Sequence, residues 1–290
     1  MTKIGFIGLG VMGSAIVRHL LAHDYTVIGY TRTKEKALDL LDAGVIWAEN
    51  PKTIAQQCDI IFTMVGLPSD VESVYFDEEF GLLENAKVGA VLVDLTTSQP
   101  TLARRIHDVA VAKGLHALDA PVTGGDLGAK NGTLSIMVGG NIADYHLVYP
   151  LLTLFGKTIQ HFGPAGMGQH AKMANQIAIA NTLLGTAELL AYCQAQGIDA
   201  QKMLTTAGSG SAGSWQLNNN GPKALEKDFA PGFYIAHFIK DMRIAVAEAH
   251  AQNLTLPGVE RVLAIFESLV AADPKFNDLG TQAVIEFFHQ

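Results

Sequence analysis

Cysteine and charge are both scarce in this chain of 290 residues. Its two cysteines, Cys58 and Cys193, are too few for a disulfide framework or a cysteine-rich zinc site, so we expect a reducing setting and no bound metal. Charged residues make up 17% of the chain, and 20 Lys and Arg stand against 28 Asp and Glu, which leaves a net charge of -8. Because nucleic-acid-binding proteins present basic surfaces, this balance argues against a nucleic-acid partner.

Long apolar runs are missing as well, although 49% of the residues are hydrophobic. Residues 4–17 are nearly all apolar, but four glycines interrupt them, so strand, turn and helix explain them better than a signal peptide does. No later segment reaches the roughly 20 uninterrupted apolar residues of a membrane span. The stretch after Met173 comes nearest, and polar residues such as Asn175 and Gln176 interrupt it. We therefore expect a soluble cytoplasmic protein with no membrane partner.

The first half of the chain alternates short apolar runs with amphipathic stretches. Strands are predicted at residues 3–8, 26–30, 45–47, 60–64, 90–94, 116–119, 135–138 and 158–162. Helices are predicted between them, at residues 13–23, 33–41, 51–56, 99–112 and 142–154. This alternation, with short loops, predicts a Rossmann-like α/β domain whose mostly parallel, doubly wound sheet is covered by helices on both faces.

The pattern changes at the segment GPAG, residues 163–166. After it, helices are predicted at residues 168–196, 200–207, 234–252, 257–271 and 279–289. We therefore predict an α/β domain over residues 1–163 and an all-helical domain over residues 164–290. The helix at 168–196 is apolar nearly all round after Gln176, so we expect it to be buried inside its domain or against a second subunit. The expected assembly is a homodimer or homotetramer formed through the C-terminal domain.

A glycine-rich loop follows the first predicted strand. It fits the pattern G-x-G-x-x-G and consists of Gly8, Leu9, Gly10, Val11, Met12 and Gly13. In this pattern the first glycine permits a tight turn, the second lets the backbone approach a pyrophosphate, and the third lets the helix pack on the sheet. The pattern alone is weakly specific, but its place between a strand and a helix predicts dinucleotide binding at the helix N-terminus.

The end of the second predicted strand carries a basic residue. NAD sites usually have Asp or Glu there, about 20 residues after the glycines, to bind the ribose 2′-hydroxyl. Here the strand runs into Thr31, Arg32 and Thr33, and the first acid is Glu35. A guanidinium stacks on adenine and binds a 2′-phosphate through paired hydrogen bonds, whereas a carboxylate would repel that phosphate. We therefore expect these three residues to bind NADP, with NAD as the alternative cofactor; a solvated loop arginine is the competing interpretation.

Lys172 is the only formally charged residue in the stretch 162–187. It lies near the start of the most apolar predicted helix, and the residues four positions away, Gly168 and Gln176, cannot pair with its charge. Apolar surroundings lower the pKa of a lysine toward the range that is useful for proton transfer. We predict that Lys172 is an acid/base and that Asn175, on the same helix face, helps to orient it. A lysine whose ammonium reaches water is the simpler alternative.

A second polar segment, DAPVTGG at residues 119–125, follows the sixth predicted strand. A hydroxyl beside successive backbone N–H groups forms an anion nest, which suits a carboxylate. We therefore predict that Thr123, Gly124 and Gly125 bind a small carboxylate substrate. Lys240 lies beside the apolar stripe of the helix at 234–252, where a surface role is the simpler interpretation for this residue alone.

Four segments stand in order along the chain: residues 8–13, 119–125 and 166–175, and the pair formed by Lys240 and Asp241. Together they resemble the β-hydroxyacid dehydrogenase family, which includes 3-hydroxyisobutyrate dehydrogenase and 2-hydroxy-3-oxopropionate (tartronate semialdehyde) reductase, over essentially the whole chain. IGFIGLGVMG is similar to the family's cofactor signature, DAPVTGG to its substrate-carboxylate motif, and GQHAKMAN to its catalytic segment. Thr123 stands where many members carry Ser, and the pair Thr31 and Arg32 stands where NAD-using members carry an acid.

The resemblance implies an oxidoreductase that transfers a hydride reversibly between NADP(H) and a small β-hydroxyacid or semialdehyde carboxylate. It implies that Lys172 is the general acid/base, aided by Asn175, and that Lys240 contacts the cofactor near the nicotinamide. A cofactor-contacting Ser or Thr of the family falls within the pair Thr96 and Thr97. The substrate is expected between the two domains, and its identity stays open.

Three other interpretations compete with this one. A non-catalytic NADP-binding sensor on the same fold would need the glycine loop and Arg32 but would have no use for Lys172. An imine reductase shares the architecture, but such enzymes usually replace the catalytic lysine. A decarboxylating 6-phosphogluconate dehydrogenase is disfavoured because the chain is short and shows no obvious basic cluster for a sugar phosphate.

Overall fold

The structure, a computed structural model, describes residues 2–289 of the chain. It divides into two compact units, Met1–Lys172 and Met173–Gln290. The division falls inside one helix, Met167–Gln196, so that Lys172 is the last residue of the first unit. The predicted domain boundary after residue 163 stays a prediction.

Within the described residues, the first unit contains a nine-stranded sheet. The strands are β1 (Ile4–Ile7), β2 (Val27–Tyr30), β3 (Ile46–Trp47), β4 (Ile60–Thr63), β5 (Val91–Asp94), β6 (His116–Asp119), β7 (Val122–Thr123), β8 (Leu134–Gly140) and β9 (Gly156–Gly163). Their order is β3-β2-β1-β4-β5-β6-β8-β7, with β9 paired to β8. The strands from β3 to β6 pair in parallel, and β8 runs antiparallel to β6 and β7. This order is that of a doubly wound dinucleotide-binding sheet, and the predicted fold class is confirmed.

Helices connect most of these strands. They are α1 (Val11–Ala22), α2 (Leu38–Asp42), α3 (Pro51–Gln57), α4 (Pro68–Phe76), α5 (Leu82–Asn85), α6 (Pro100–Ala112), α7 (Gly125–Lys130) and α8 (Ile142–Leu152). Three of them begin with proline, whose fixed φ suits the first turn of a helix. The predicted helix at 33–41 is instead a short 3₁₀ turn, Lys34–Ala37, followed by α2.

The core of the first unit lies on both faces of the sheet. Phe6 and Phe62, on neighbouring strands, stack at 6.0 Å between ring centroids and belong to the core on one face. Ile7, which follows Phe6, and Ile61, which precedes Phe62, belong to the core on the other face. Because strands covered on both faces have no side open to water, β1 and β4 are continuous apolar runs rather than alternating ones.

The second unit is helical in the part of the chain that the structure describes, apart from one isolated bridge between Tyr234 and Gly280. Its helices are the later part of α9 (Met167–Gln196), then α10 (Ala200–Gly208), α11 (Gly221–Leu225), α12 (Ile235–Ala251) and α13 (Pro257–Ala272). A π-helical turn, Gln216–Asn220, precedes α11. Phe238 and Phe266 meet edge to face in the core of this unit, with 5.4 Å between their centroids.

The last predicted helix, at residues 279–289, is wrong in type. Residues Thr281–His289 form a 3₁₀ helix rather than an α-helix. Its first five residues are all buried, so this segment has no solvent-facing side of the kind that an amphipathic α-helix presents. Hydrophobic periodicity did not predict α4, α5, α7, α11 or β7, the longest of which has nine residues.

The helix α9 is not buried on all sides within this chain. A stripe at helical spacing is exposed and made of small or polar residues, including Ala174, Ala178, Asn181 and Gly185. Of the two predicted alternatives, cover from its own domain does not extend to this stripe. Cover from a second subunit stays a prediction.

No helix among residues 2–289 is long and apolar enough to cross a membrane. Within the same residues, no group of three His, Cys, Asp or Glu side chains is placed to hold a metal ion. Both cysteines are buried free thiols.

Candidate active site

Four parallel strands end in one row of the sheet. Their last residues, Ile7, Thr63, Asp94 and Asp119, are aligned neighbours across β1, β4, β5 and β6. The chain leaves β1 for β2 on one side and later returns to β4 on the other, so the strand order reverses at this row. In doubly wound sheets, ligands bind beyond the carboxyl ends of the strands at such a point. The segments that follow these strands carry the predicted residues of the glycine loop, Thr96, Thr97, Thr123, Gly124 and Gly125.

The glycine loop begins directly after β1 and is tightly packed at two of its three glycines. Gly8 has φ +100° and donates its N–H to the carbonyl of Tyr30 at 2.8 Å. A Cβ on Gly8 would collide with the carbonyl oxygen of Met64, and one on Gly13 would collide with the carbonyl oxygen of Gly8. A Cβ on Gly10 would meet no atom within 4 Å. The protein therefore fills the space beside the outer two glycines and leaves the space beside the middle one open.

The start of α1 is suited to a phosphate. The residue before the helix, Gly10, has no side chain to accept its first N–H groups, and the first turn contains no acid. Val11, the first residue of the helix, is 61% exposed, and Met12 is half-buried. Because the first N–H groups of a helix have no partner within it and carry the positive end of its dipole, they bind phosphate well. The loop thus fits the pyrophosphate of a dinucleotide, because its backbone is accessible at Gly10 and the first N–H groups of α1 can donate to the phosphate oxygens.

Arg32 lies in the loop after β2 between half-buried Thr31 and exposed Thr33. Its side chain is 82% exposed, and its Nη1 lies 3.1 Å from Oδ1 of Asp70. The other oxygen of Asp70 accepts the N–H of Leu67 at 3.0 Å, just before α4. An ion pair this exposed contributes little to stability, so the guanidinium is available to a ligand anion. Sequence analysis missed Asp70 because it lies 38 residues from Arg32.

Thr96 and Thr97 occupy the loop after β5 and differ in burial. Thr96 is 2% exposed, its hydroxyl accepts the N–H of Val65 at 3.0 Å, and its own N–H donates to Asp94 at 3.0 Å. Thr97 is half-buried. Thr96 therefore holds the loop to β4 and β5, and the side chain of Thr97 is the more accessible of the two.

The carboxylate motif ends in two glycines with positive φ. Thr123 is half-buried in β7, beside Ser135 of β8. Gly124 has φ +130° and Gly125 has φ +64°, and α7 begins at Gly125. Residues other than glycine rarely adopt the first of these conformations. The pair turns the chain sharply, and exposed Gly124 presents its backbone next to a threonine hydroxyl.

Asp119 ties the start of α9 to the end of β6. Its Oδ1 accepts the N–H of Gly166 at 2.8 Å, and its Oδ2 accepts the N–H of Gln169 at 2.8 Å. Burial raises the pKa of Asp119 above its ordinary value, and the backbone N–H groups of Gly166, Gln169 and Gly168 act in the opposite direction. Lys172 follows Gln169 by one helical turn and is 5% exposed. The predicted acid/base is thus buried and lies one turn after the anchored helix start.

Gln169 is a residue that the sequence analysis did not single out. Its side chain is fully buried, with Nε2 donating to the carbonyl of Thr96 at 2.7 Å and Oε1 accepting the N–H of Ser98 at 2.9 Å. A glutamine in an apolar helix is itself a signal, because a buried amide must find hydrogen-bond partners. Its partners could not be identified from sequence because they lie more than 70 residues away.

The second unit contains a row of buried and half-buried polar side chains that joins α9 to α12. Asn175 donates from Nδ2 to Oε1 of Gln176 at 2.8 Å, and Gln176 donates from Nε2 to Oδ2 of Asp241 at 2.7 Å. Nζ of Lys240 lies 2.8 Å from Oδ1 of Asp241, an ion pair by distance although its angles are not those of a hydrogen bond. Asp241 is 1% exposed, and the Lys240 side chain is 15% exposed. The row includes two predicted site residues, Asn175 and Lys240.

Comparison with known families matches both parts of the chain. The family described as the NAD binding domain of 6-phosphogluconate dehydrogenase matches residues 3–163. The family described as NAD-binding of NADP-dependent 3-hydroxyisobutyrate dehydrogenase matches residues 166–288. Together these two matches cover nearly all of the chain.

Individual relatives are similar over nearly their full length. The "Uncharacterized oxidoreductase YkwC" of Bacillus subtilis (strain 168) is 48% identical over 98% of either chain. The 2-hydroxy-3-oxopropionate reductase of Escherichia coli (strain K12) is 35% identical over 93% of this chain and 91% of its own. The structure of Mycobacterium tuberculosis 3-hydroxyisobutyrate dehydrogenase with L-serine superposes with a TM-score of 0.90, at 29% identity over the whole of both chains. An imine reductase from Myxococcus stipitatus has a TM-score of 0.66 and 20% identity over 98% of this chain and 99% of its own, a likeness that shows the fold alone.

Substitution of two glycines by alanine should separate dinucleotide binding from folding. In Gly10→Ala, the methyl group enters open space, so the thermal midpoint should hold while the dissociation constant for NADPH rises roughly tenfold or more through loss of charge-assisted contacts. In Gly13→Ala, the methyl group overpacks the loop and should lower stability by about 1–3 kcal/mol. Calorimetric titration and thermal unfolding measure the two effects. A Gly10→Ala protein with unchanged affinity for NADPH would show that the phosphates bind elsewhere.

Proposed function

The chain belongs to the β-hydroxyacid dehydrogenase family of NAD(P)-dependent oxidoreductases, and from this premise we propose that it interconverts a small semialdehyde carboxylate and the corresponding β-hydroxyacid, with NADP(H) as cofactor and Lys172 as general acid/base. Substrates of the 3-hydroxyisobutyrate and 2-hydroxy-3-oxopropionate type fit this proposal.

One observation carries the proposal: a buried lysine follows an anchored helix start. Lys172 is 5% exposed and lies one turn after Gln169, whose backbone and side chain are held by the ends of β6 and β5. A lysine is rarely buried unless its charge is balanced, because burial removes the solvation of the ammonium. A buried lysine at the carboxyl edge of this sheet, where ligands bind, is therefore a candidate for an acid/base. A non-catalytic sensor on this fold would not need such a lysine, and imine reductases usually replace it.

The proton step uses the chain's own side chain. During reduction, the Lys172 ammonium donates a proton to the carbonyl oxygen of the aldehyde as the carbonyl carbon gains a hydride, and the product is an alcohol. During oxidation, the neutral Lys172 amine accepts the hydroxyl proton as the same carbon loses a hydride. The nicotinamide of the cofactor, when bound, supplies or accepts that hydride. The lysine returns to its starting protonation state by exchange with water.

The carboxylate of the substrate is held by the segment after β6. The Thr123 hydroxyl and the backbone N–H groups of Gly124 and Gly125 are donors that suit a planar anion. An anchored carboxylate also places the aldehyde carbon, since only a short carbon chain joins the two groups. Positioning of this kind accounts for a large part of enzymatic rate enhancement.

Asn175 and Lys240 complete the proposal as the family resemblance implies. Asn175 orients the Lys172 ammonium and the substrate oxygen, and Lys240 contacts the cofactor on its nicotinamide side. Support comes from the polar row in which both lie. The Asp241 carboxylate accepts from Gln176, and the amide of Asn175 donates to Gln176 in turn.

The choice of NADP rests on the loop after β2. Thr31, Arg32 and Thr33 contain no acid that would repel a 2′-phosphate, and the Arg32 guanidinium is exposed. The pyrophosphate is held by the glycine loop, which consists of Gly8, Leu9, Gly10, Val11, Met12 and Gly13. Thr97 contacts the cofactor from the loop after β5, and Thr96 supports that loop. NAD is the weaker ligand in this proposal.

Assembly and compartment are further proposals. The exposed small-residue stripe of α9 supports a homodimer or homotetramer formed through the helical unit, because small side chains allow close approach of a second helix. Two buried free thiols support a reducing cytoplasmic setting.

Reversing the charge at Arg32 should change cofactor preference. Arg32→Asp removes paired hydrogen bonds to the 2′-phosphate, which costs about 1.5–3 kcal/mol of binding free energy. The kcat/KM for NADPH should therefore fall roughly 10–150-fold, whereas kcat/KM for NADH should change little. In Arg32→Asp, the new carboxylate would also repel Asp70. The variant Arg32→Ala removes the guanidinium without adding that repulsion, so it measures the first effect alone. Arg261→Asp, an equal charge change at an exposed position of α13, serves as the control. Equal kcat/KM for NADH and NADPH in the unmutated protein would contradict the preference.

Removing the Lys172 side chain should slow the chemical step and spare cofactor binding. In Lys172→Ala, kcat should fall by roughly 10²–10⁴, the usual contribution of a positioned acid/base, while the dissociation constant for NADPH stays nearly unchanged. The fold should persist, because removal of a buried ammonium also removes a desolvation penalty. In the unmutated enzyme, kcat for reduction should decline as Lys172 loses its proton with rising pH, and that limb should vanish in the variant. Lys157→Ala, at an exposed lysine of β9, is the control.

Near-normal turnover in a folded Lys172→Ala protein would contradict the proposed acid/base. The acid/base would then have to be sought elsewhere, with Lys240 as the first candidate.

A further inference from the structure

Gln169 connects the loop after β5 to the helix that carries Lys172. Both ends of its amide are used: Nε2 donates to the Thr96 carbonyl at 2.7 Å, and Oε1 accepts the Ser98 N–H at 2.9 Å. The side chain is fully buried, so water cannot replace either bond. An apolar residue of the same size would leave a buried donor and a buried acceptor on the loop without partners.

The main chain of the same residue is held from a second strand. Its N–H donates to Oδ2 of Asp119 at 2.8 Å, while Oδ1 of Asp119 accepts the N–H of Gly166 at 2.8 Å. The first turn of α9 is thus fixed at the carboxyl ends of β5 and β6, which are adjacent parallel strands. A helix start held at two places cannot slide or rotate without breaking buried hydrogen bonds.

The backbone position of Lys172 is fixed by these contacts because Lys172 follows Gln169 by three residues in the same helix. Residues three apart in an α-helix lie on neighbouring positions of one face, and the rise between them is about 4.5 Å. The loop at residues 96–98 belongs to the edge where the glycine loop also lies. The amide of Gln169 therefore sets the distance between this edge and the backbone of Lys172.

We propose that Gln169 is a positioning residue that acts through Lys172, an inference that rests on the proposed acid/base role of that lysine. Its amide holds the first turn of α9 against residues 96–98, so that the ammonium meets the substrate oxygen in the productive geometry. Displacement of about 1 Å at a reacting group is enough to lower a rate roughly 10²-fold.

A double-mutant cycle separates positioning from general structural support. Gln169→Met keeps the length of the side chain and removes both hydrogen bonds. It should lower kcat by roughly 10–100-fold, with KM for the aldehyde and the dissociation constant for NADPH within about threefold of the unmutated values. When the substitution is made in Lys172→Ala, kcat should stay within about threefold of that of Lys172→Ala alone, because the lysine through which Gln169 acts is gone. Gln196→Met, at an exposed glutamine of the same helix, is the matched control.

Hydrogen exchange gives a readout that does not depend on turnover. In the protein without substrate, amide exchange of residues 168–172 should be faster in Gln169→Met than in the unmutated chain, whereas exchange in α13 should be unchanged. Unchanged exchange at residues 168–172 would overturn the inference.

Gln169→Glu keeps the test valid if Gln169→Met does not fold. The glutamate retains the acceptor for Ser98 but, when ionised, faces the Thr96 carbonyl with a second acceptor. When protonated it donates as the glutamine does, and burial favours the protonated form. The ratio of its kcat to that of the unmutated enzyme should therefore approach one as pH falls; a ratio that stays low at every pH would overturn the inference.

The outcomes distinguish the inference from the proposed function. Near-normal turnover in Lys172→Ala would remove both. Turnover that depends on Lys172, combined with a Gln169→Met penalty that persists in full in the Lys172→Ala background, would remove only the role of Gln169.

Discussion

The start of α9 is held by one buried carboxylate and one buried amide, and the candidate acid/base depends on both. The first N–H groups of a helix have no partner within it, and a negative charge beside them is favoured by the helix dipole. Asp119 meets both conditions, since each of its oxygens accepts an N–H from this turn. Burial opposes ionisation of the same carboxyl group, so the backbone hydrogen bonds are needed to keep it an acceptor. Gln169 then joins the turn to the loop after β5.

The second unit uses a buried carboxylate in a comparable way. Asp241 can only accept, which forces Gln176 to donate and so fixes the orientation of the amide of Asn175. Lys240 lies beside the same carboxylate, so its charge is balanced inside the protein. In the first unit, buried polar groups thus hold the helix turn that precedes Lys172, and in the second unit they hold Asn175 and Lys240 directly. Buried networks of this kind restrict the number of arrangements that the site can adopt.

Hydrophobic patterning was sufficient to predict eight strands of the sheet and the character of both parts of the chain. It succeeded because strands such as β1 and β4 are buried on both faces and form continuous apolar runs. It did not reveal that small and polar residues form a stripe of α9 that is exposed in this chain. The motifs placed the candidate ligand-binding residues, but not the partners Asp70 and Gln169. Those partners act through contacts 38 to 73 residues away, and only the folded chain reveals such pairs.

The central claim is that this chain reduces aldehydes that carry a carboxylate, and a matched substrate pair tests it most directly. NADPH oxidation would be followed against tartronate, succinic and methylmalonate semialdehydes, and against the methyl ester of whichever is turned over best. We expect turnover with at least one of the acids. The ester cannot accept charge-assisted hydrogen bonds at residues 123–125, which costs about 1.5–3 kcal/mol of binding free energy. Its kcat/KM should therefore be roughly 10–150-fold lower than that of the acid. Equal kcat/KM for acid and ester, or turnover of a cyclic imine with none of the semialdehydes, would contradict it.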